Sequence, residues 1–292
     1  FVAGAIGSGT LKGAVIGSVV AVAVAGVIQA YTTAKQASAL AKPEDLTPSD
    51  LDLKNLFGAN EPHAGWYRID VGSKGVFVGA TEISPVDAVF DDVIFTNGVK
   101  NGFQAAVKNG TSNIYQAGLL KDSYILNFNP TQGLVSDIME ASVDIWGANT
   151  GLAHSALAES LAQSLHAISN RGITGIQLVG HSQGGAITAS ALRYASKAGL
   201  NLNALSNGGV ALHGAPVNAW VARSRLIEIE SASIVSRAQF GDAVHVLGGL
   251  NVKNPIEVVV SVIRSPALFS SDISVSPHSL PCVGSTSMVC SY

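Results

Sequence analysis

Residues 173–194 read ITGIQLVGHSQGGAITASALRY, and this stretch decides the predicted fold. Residues 173–179 are largely apolar, which predicts a strand that is covered on both faces. A helix of small residues is predicted to begin near Gly185. Because the strand passes into the helix through a short turn without a polar loop, the stretch is typical of an α/β unit.

The turn between the two elements matches the pattern G-x-S-x-G. In this pattern a serine, here Ser182, lies on a strained corner with its hydroxyl above the sheet. Gly180 and Gly184 flank it where strand and helix crowd each other and a Cβ would clash. The alternative is a purely structural turn, since the chain has 31 glycines.

The order of apolar and polar runs predicts an α/β domain at residues 65–292, after a linker or cap at residues 35–64. Residues 66–80 alternate around a glycine turn and predict an antiparallel hairpin at the edge of the sheet. Strands and helices then alternate, with a clear helix at residues 154–169. The sequence therefore predicts a mostly parallel sheet with helices on both faces and an N-terminal antiparallel hairpin.

Residues 131–152 have two interpretations. Apolar side chains stand there among scattered acids. The segment is predicted to be a lid over the site, and the alternative is an ordinary helix that covers the sheet.

Composition limits the classes of function. The chain has 292 residues, of which 47% are hydrophobic and 13% are charged, and its net charge is -3. This is more apolar than an ordinary soluble domain and indicates contact with lipid or with a large apolar surface. No basic run is present, so the sequence argues against nucleic-acid binding.

The first 34 residues form a separate apolar segment. Its one charge is Lys12, and small residues recur at Gly9, Gly13 and Gly17, the spacing with which membrane helices pack. We expect a membrane-inserting helix, because the length suffices to cross a bilayer. The alternatives are a secretory signal and a shielded hydrophobic hairpin. The initial Phe1 predicts a processed product.

A serine nucleophile needs a base, and in such a sheet the catalytic groups follow the carboxyl ends of strands. Among the seven histidines, His278 follows the last predicted strand and is the predicted general base. His213 also ends a strand and remains an alternative. We assign three histidines to the surface, namely His63, His154 and His166. His181 is assigned to the turn, and His245 lies too close to Asp242 to be its obvious partner.

The acid that orients the base is predicted to be Asp242, which follows a strand in a glycine turn. Its rival, Asp272, precedes a strand. The chain order Ser182, Asp242, His278 is the order found in α/β-hydrolases.

Acyl transfer also needs donors for the developing oxyanion. The amide of Gln183, at the start of the helix, is predicted to supply one. The second is assigned to the amide of Val99, with Gly98 allowing the loop to turn beneath the substrate. The alternative for this loop is a plain turn.

Both cysteines, Cys282 and Cys290, lie near the C-terminus. They are predicted to form a disulfide in an oxidising compartment, and the alternative is two unrelated thiols. The sequence predicts no metal site.

From about Trp66 to its end, the chain resembles the α/β-hydrolase superfamily. It is similar to bacterial lipases and phospholipases in its Gly-His-Ser-Gln-Gly turn at residues 180–184 and its Gly-Asp-x-Val turn at residues 241–244. The resemblance implies hydrolysis of lipid carboxylic esters through an acyl-enzyme on Ser182, without a cofactor. The chain departs from the pattern at Asn97, where a histidine is usual before Gly98, and only fourteen residues follow His278.

The glycine-rich apolar segment joined to such a domain is also similar to antibacterial effectors of the type VI or polymorphic-toxin kind. That resemblance implies a bacterial origin, secretion or delivery to the periplasm or membrane of a target cell, and an immunity protein or secretion-system carrier as partner. Two other functions stay open. One is a soluble esterase or thioesterase, and the other is a membrane-inserting, pore-forming protein.

Overall fold

A computed structural model of the protein describes residues 50–57, 62–72, 76–98, 102–119, 121–130, 145, 148–150, 154–218 and 232–237. The helices are α1 (Asp50–Phe57), α2 (Phe103–Gln116), α3 (Ala156–Asn170) and α4 (Gln183–Ala198). The strands are β1 (Gly65–Val71), β2 (Phe77–Ile83), β3 (Val93–Thr96), β4 (Ser123–Phe128), β5 (Gln177–His181), β6 (Gly209–His213) and β7 (Ser233–Arg237).

The strands form one mixed sheet in the order β2-β1-β4-β3-β5-β6-β7. Neighbouring strands from β4 to β7 in this order are parallel, whereas β1 is antiparallel to both β2 and β4. The predicted hairpin is therefore confirmed, and β2 forms one edge. This arrangement is compatible with a hydrolase-like α/β fold.

Helices cover both faces of the sheet, because its central strands are apolar on both sides. In β3, Val93 and Phe95 join the core under α1 and α2, and Ile94 joins the core under α3 and α4. Burying one such side chain contributes about 1.5–3 kcal/mol. The two cores hold the strand ends in fixed positions, and the site is built on those ends.

Helix α3 forms as its sequence predicts. Ser155 caps it, and its hydroxyl accepts a hydrogen bond from the amide of Ala158 at 3.1 Å. Leu161, Leu165 and Ile168 lie on one face and are fully buried against the sheet. This helix leads the chain back to β5.

The boundaries of the strand and helix around Ser182 differ from the prediction. The strand was expected at residues 173–179, but it begins at Gln177 and continues through His181. The amides of Gly175 and Ile176 donate instead to the carbonyls of Ser206 and Ala204, so the chain before β5 is bonded to a loop. At the other end, α4 begins at Gln183 and not near Gly185.

Helix α2 was not predicted. Its sequence, FQAAVKNGTSNIYQ, contains glycine, asparagine, threonine and serine, which have low helix propensity. Tertiary packing explains Gly110, because a Cβ there would lie 2.9 Å from both Phe95 and the Tyr124 hydroxyl. Packing against the sheet therefore overrides local preference.

Several predicted features lie outside the described residues. They include the apolar segment at residues 1–34, most of the linker, most of the lid at residues 131–152, and the chain after residue 237. Within the ranges given above, no helix is both long and apolar enough to cross a membrane.

Candidate active site

Ser182 lies on the corner between β5 and α4, with φ 57° and ψ -127°. It occupies the N-cap position of α4, but its side chain makes no capping hydrogen bond. A side chain in this part of backbone space is strained by about 1–3 kcal/mol. Among the described residues, the other non-glycine residues with positive φ are Asp91 and Asn207, types that tolerate it better. Strain at a serine therefore marks this corner as a functional candidate.

Close backbone contacts hold the corner. A Cβ on Gly180 would lie 2.7 Å from the Cα of Gly185, and one on Gly184 would lie 2.0 Å from the carbonyl oxygen of Thr96. Gly185, to which the sequence pattern gave no role, would place a Cβ 2.4 Å from that of Ala215. The start of α4 is thus packed between the ends of β3 and β5 and the loop after β6.

The loop after β3 lies against Ser182. A Cβ on Gly98 would stand 2.8 Å from the Ser182 Cβ and 3.0 Å from the carbonyl oxygen of His181. This proximity follows from the sheet, because β3 and β5 are neighbours and Thr96 is paired with Gly180. The structure therefore brings together two residues that the sequence assigned to one site.

Gln183 is the first residue of α4 and is almost completely buried. The amides of a first helical turn point out of the helix N-terminus, toward the side where a developing negative charge is stabilised. Its position at the corner suits a donor to an oxyanion.

His213 ends β6, next to the corner. Its carbonyl oxygen accepts a hydrogen bond from the amide of Ser182 at 3.0 Å, and its Nδ1 lies 2.7 Å from the Oδ1 of Asn113 in α2. The Nδ2 of Asn113 donates to the carbonyl of Asn109 at 2.8 Å, which fixes the orientation of that amide. Nδ1 of His213 must then carry a proton and donate it. The imidazole is buried and oriented by α2.

The three histidines assigned to the surface differ from one another. His63 is exposed, and its Nε2 lies 3.2 Å from a Glu82 carboxylate oxygen. His154 and His166 are half-buried, so for them the prediction was too simple. His166 accepts a hydrogen bond from the amide of Asn201 at 2.8 Å.

The side chain of His154 contacts α4, where its Nδ1 is 2.9 Å from the Ser190 hydroxyl. Burial lowers the pKa of His154, and the nearby charges of Lys197 and Arg193 lower it further, while Glu159 acts in the opposite direction. His154 is therefore expected to be neutral at neutral pH.

Arg193 of α4 binds the end of the predicted lid. Its guanidinium donates to the carbonyls of Ala148 at 3.3 Å, Asn149 at 2.8 Å and Thr150 at 2.6 Å. The Asn149 side chain in turn accepts a hydrogen bond from the amide of Asn218 at 3.0 Å. Residues 148–150 are thus attached both to α4 and to the loop after β6. Sequence reasoning gave Arg193 no role.

The remaining predicted site residues lie outside the described residues. They are Asp242, its rival Asp272, His245, His278, Val99, Cys282 and Cys290. Their assignments stay predictions. Within the described ranges, no cluster of three or more His, Cys, Asp or Glu side chains could hold a metal ion.

No protein-family profile and no curated protein sequence matches this chain. Among solved structures, the chain is similar to a Legionella pneumophila protein that is provisionally described as a hydrolase, with 14% identity and a TM-score of 0.27. The match covers 73% of this chain and 62% of that protein's length. A likeness this low says nothing about function. The evidence for function is the corner at Ser182.

Proposed function

We propose that the protein is a serine hydrolase that cleaves carboxylic esters of lipids through an acyl-enzyme on Ser182. The observation that carries this proposal is the strained corner, where Ser182 keeps a positive φ while the main chain of Gly98 lies against its side chain. Nucleophilic serines occupy such corners above α/β sheets. The carboxyl ends of the parallel strands are also where ligands bind in open α/β sheets.

In the proposed reaction, the Ser182 hydroxyl oxygen attacks the acyl carbonyl carbon while His278 takes the hydroxyl proton. Asp242 orients His278 and stabilises its charged form. The amides of Gln183 and Val99 bind the oxyanion of the tetrahedral intermediate. The bond to the alcohol then breaks, and His278 returns the proton to the departing oxygen.

The second half of the reaction releases the acid. Water attacks the acyl-enzyme as His278 takes its proton. The second tetrahedral intermediate then collapses, the bond to the Ser182 oxygen breaks, and His278 returns the proton to that oxygen, which leaves free carboxylic acid and Ser182. No cofactor is needed for this chemistry.

The lipid substrate is proposed from the sequence. Residues 1–34 contain a single charge, and 47% of the chain is hydrophobic. A segment of this kind would bring the hydrolase to a bilayer, where ester substrates are concentrated. We extend the proposal to a secreted antibacterial toxin of bacterial origin whose partners include an immunity protein.

Lipid mass spectrometry tests the proposal. Vesicles of phosphatidylethanolamine and phosphatidylglycerol are incubated with the wild type, with Ser182→Ala and with Ser164→Ala. Ser164 is a matched control, because its hydroxyl donates to the carbonyl of Ser160 inside α3 at 2.7 Å. We expect fatty acid and lysolipid from the wild type and Ser164→Ala only.

Other outcomes would identify the alternatives. Hydrolysis of soluble esters or thioesters without any lipid product would favour a soluble esterase or thioesterase. Vesicle leakage that persists undiminished in Ser182→Ala would favour a pore-forming protein and would remove the catalytic explanation.

A further inference from the structure

Asn97 lies between β3 and Gly98, and its side chain is fully buried. Its Nδ2 donates to the carbonyl of Asn129 at 2.8 Å and to the carbonyl of Gly98 at 3.0 Å. Its Oδ1 accepts a hydrogen bond from the amide of Asn129 at 2.8 Å. The side-chain amide therefore uses both a donor and an acceptor against the main chain of one residue, Asn129.

The hydrogen bonds between the Asn97 side chain and the Asn129 main chain take the place of the next main-chain pairing between β3 and β4. The last main-chain pair between β3 and β4 joins Thr96 and Asn127. One residue further along the chain, the side chain of Asn97 binds the main chain of Asn129, just after β4, as a main-chain peptide group would do. The main chain after Asn97 can therefore leave the sheet while its starting point stays fixed, and Gly98 crosses to Ser182.

The hydrogen bond to Gly98 has a directional consequence. In a planar trans peptide group, the carbonyl and the N–H point in opposite directions. The Gly98 carbonyl, which Asn97 holds, belongs to the same peptide group as the N–H that is the predicted second oxyanion donor, so a change at Asn97 is expected to act on that donor. Asn97 is suited to this task because its short amide has a donor and an acceptor side by side.

We propose that Asn97 is the positioning residue of the oxyanion site: it locks the loop after β3 to β4 and aims that loop at Ser182. This inference rests on the proposed function, since an oxyanion site has meaning only for an acyl-transfer enzyme. Asn97 acts through the main chain and does not itself touch the substrate.

The informative substitution is Asn97→Asp, which keeps the shape and the acceptor but removes the donors. Two carbonyl oxygens would then face a carboxylate, and the loop is expected to move away. A matched control is Asn127→Asp at the end of β4. Asn127 is also buried, but its Nδ2 donates to the Thr96 hydroxyl at 3.5 Å.

The experiment measures kcat and KM on a p-nitrophenyl ester, with active sites counted by titration with a fluorophosphonate. It also measures the inhibition constant of an alkylboronic acid, which forms a tetrahedral adduct on serine. We expect Asn97→Asp to lower kcat about 100-fold, with KM changed less than about three-fold. The inhibition constant should rise in parallel, because the adduct resembles the transition state.

Asn127→Asp is expected to keep kcat within about three-fold of the wild type, even if its melting temperature falls as much as that of Asn97→Asp. A kcat for Asn97→Asp that matches the control would overturn the positioning role and leave the proposed function intact. If Asn97→Asp does not fold, Asn97→Ser, whose hydroxyl is too short to bridge to Asn129, is expected to show the same loss of kcat per titrated site.

Failure of the proposed function has a different signature. In that case the wild type itself would neither hydrolyse the ester nor react with the fluorophosphonate, or Ser182→Ala would remain fully active. Both proposals would then fall together.

Discussion

Gly98 is packed so tightly against Ser182 that a Cβ on Gly98 would lie 2.8 Å from the Ser182 Cβ and 3.3 Å from its hydroxyl oxygen. Contacts below 3.0 Å force one partner to move. The loop after β3 and the corner after β5 therefore fit only with glycine at position 98, and this dependence can be tested directly.

Gly98→Ala is expected to impair both catalysis and folding. The added methyl group should displace the loop or the Ser182 side chain by a few tenths of an ångström or more, and we expect kcat to fall about 100-fold. The free energy of unfolding should fall by about 1–3 kcal/mol, the usual effect of overpacking. Ester hydrolysis and urea denaturation measure the two quantities.

Gly102→Ala is the control for this substitution, since a Cβ there has no neighbour within 4 Å. It should leave kcat unchanged. Equal losses in the two variants would mean that the loop tolerates no alanine for reasons unrelated to Ser182.

The identity of the general base can be decided by two substitutions. His278→Ala should lower kcat by about four orders of magnitude or more, because Ser182 loses its proton acceptor. His213→Asn retains a donor for the Asn113 Oδ1 and should stay within about ten-fold of the wild type. Steady-state ester hydrolysis provides the measurement. The reverse ranking would make His213 the base and Asn113 its orienting partner.

Arg193→Met should destabilise the protein, since three carbonyl groups at residues 148–150 lose their charged donor. We expect a loss of about 2–3 kcal/mol in the free energy of unfolding, measured by urea denaturation. Arg171→Met is the control, because Arg171 is an exposed residue at the end of α3. If both variants lose the same free energy, the carbonyl contacts do not stabilise the fold.

His154 should make stability depend on pH. Burial, with Lys197 and Arg193, lowers its pKa in the folded state, so the unfolded chain binds a proton more readily. Stability is therefore lost as pH falls through the usual histidine value of about 6.5. As pH falls from about 7.5 to about 5.5, the wild type should lose more free energy of unfolding than His154→Gln does.

Denaturation curves at several pH values test this expectation, with the exposed His63→Gln as control. A wild type and a His154→Gln variant whose stabilities run parallel across this range would contradict it.

The sequence predicted those elements whose pattern is local. The hairpin of β1 and β2 alternates around a glycine turn, and α3 repeats leucine every four residues, so both follow from the periodicity of apolar side chains. The corner at Ser182 was also predictable, because the close approach of strand and helix requires small residues within a short stretch.

Features that depend on distant residues were missed. The glycine at position 110 of α2 is explained by Phe95 and Tyr124, which occupy the space where a Cβ would stand. Strand β5 starts late because Gly175 donates to Ser206, about thirty residues further along the chain. No local pattern carries such information.

Asn97 shows the same limit at the candidate site. Its sequence neighbours indicated only a departure from the usual histidine, whereas its partner Asn129 lies 32 residues away. The importance of such a residue is visible only when the strand ends are side by side.

The pairing of Asn97 with Asn129 has a kinetic consequence. Asn97 and Asn129 are 32 residues apart, whereas Ser182 lies much farther along the chain from Gly98, and contacts between residues far apart in the chain close late in folding. A partly folded chain could thus contain the anchored loop after β3 and still lack the finished corner at Ser182 beside it. We expect refolding experiments to recover reactivity toward a fluorophosphonate only in the last phase, when the corner at Ser182 closes against the anchored loop and the sheet is complete.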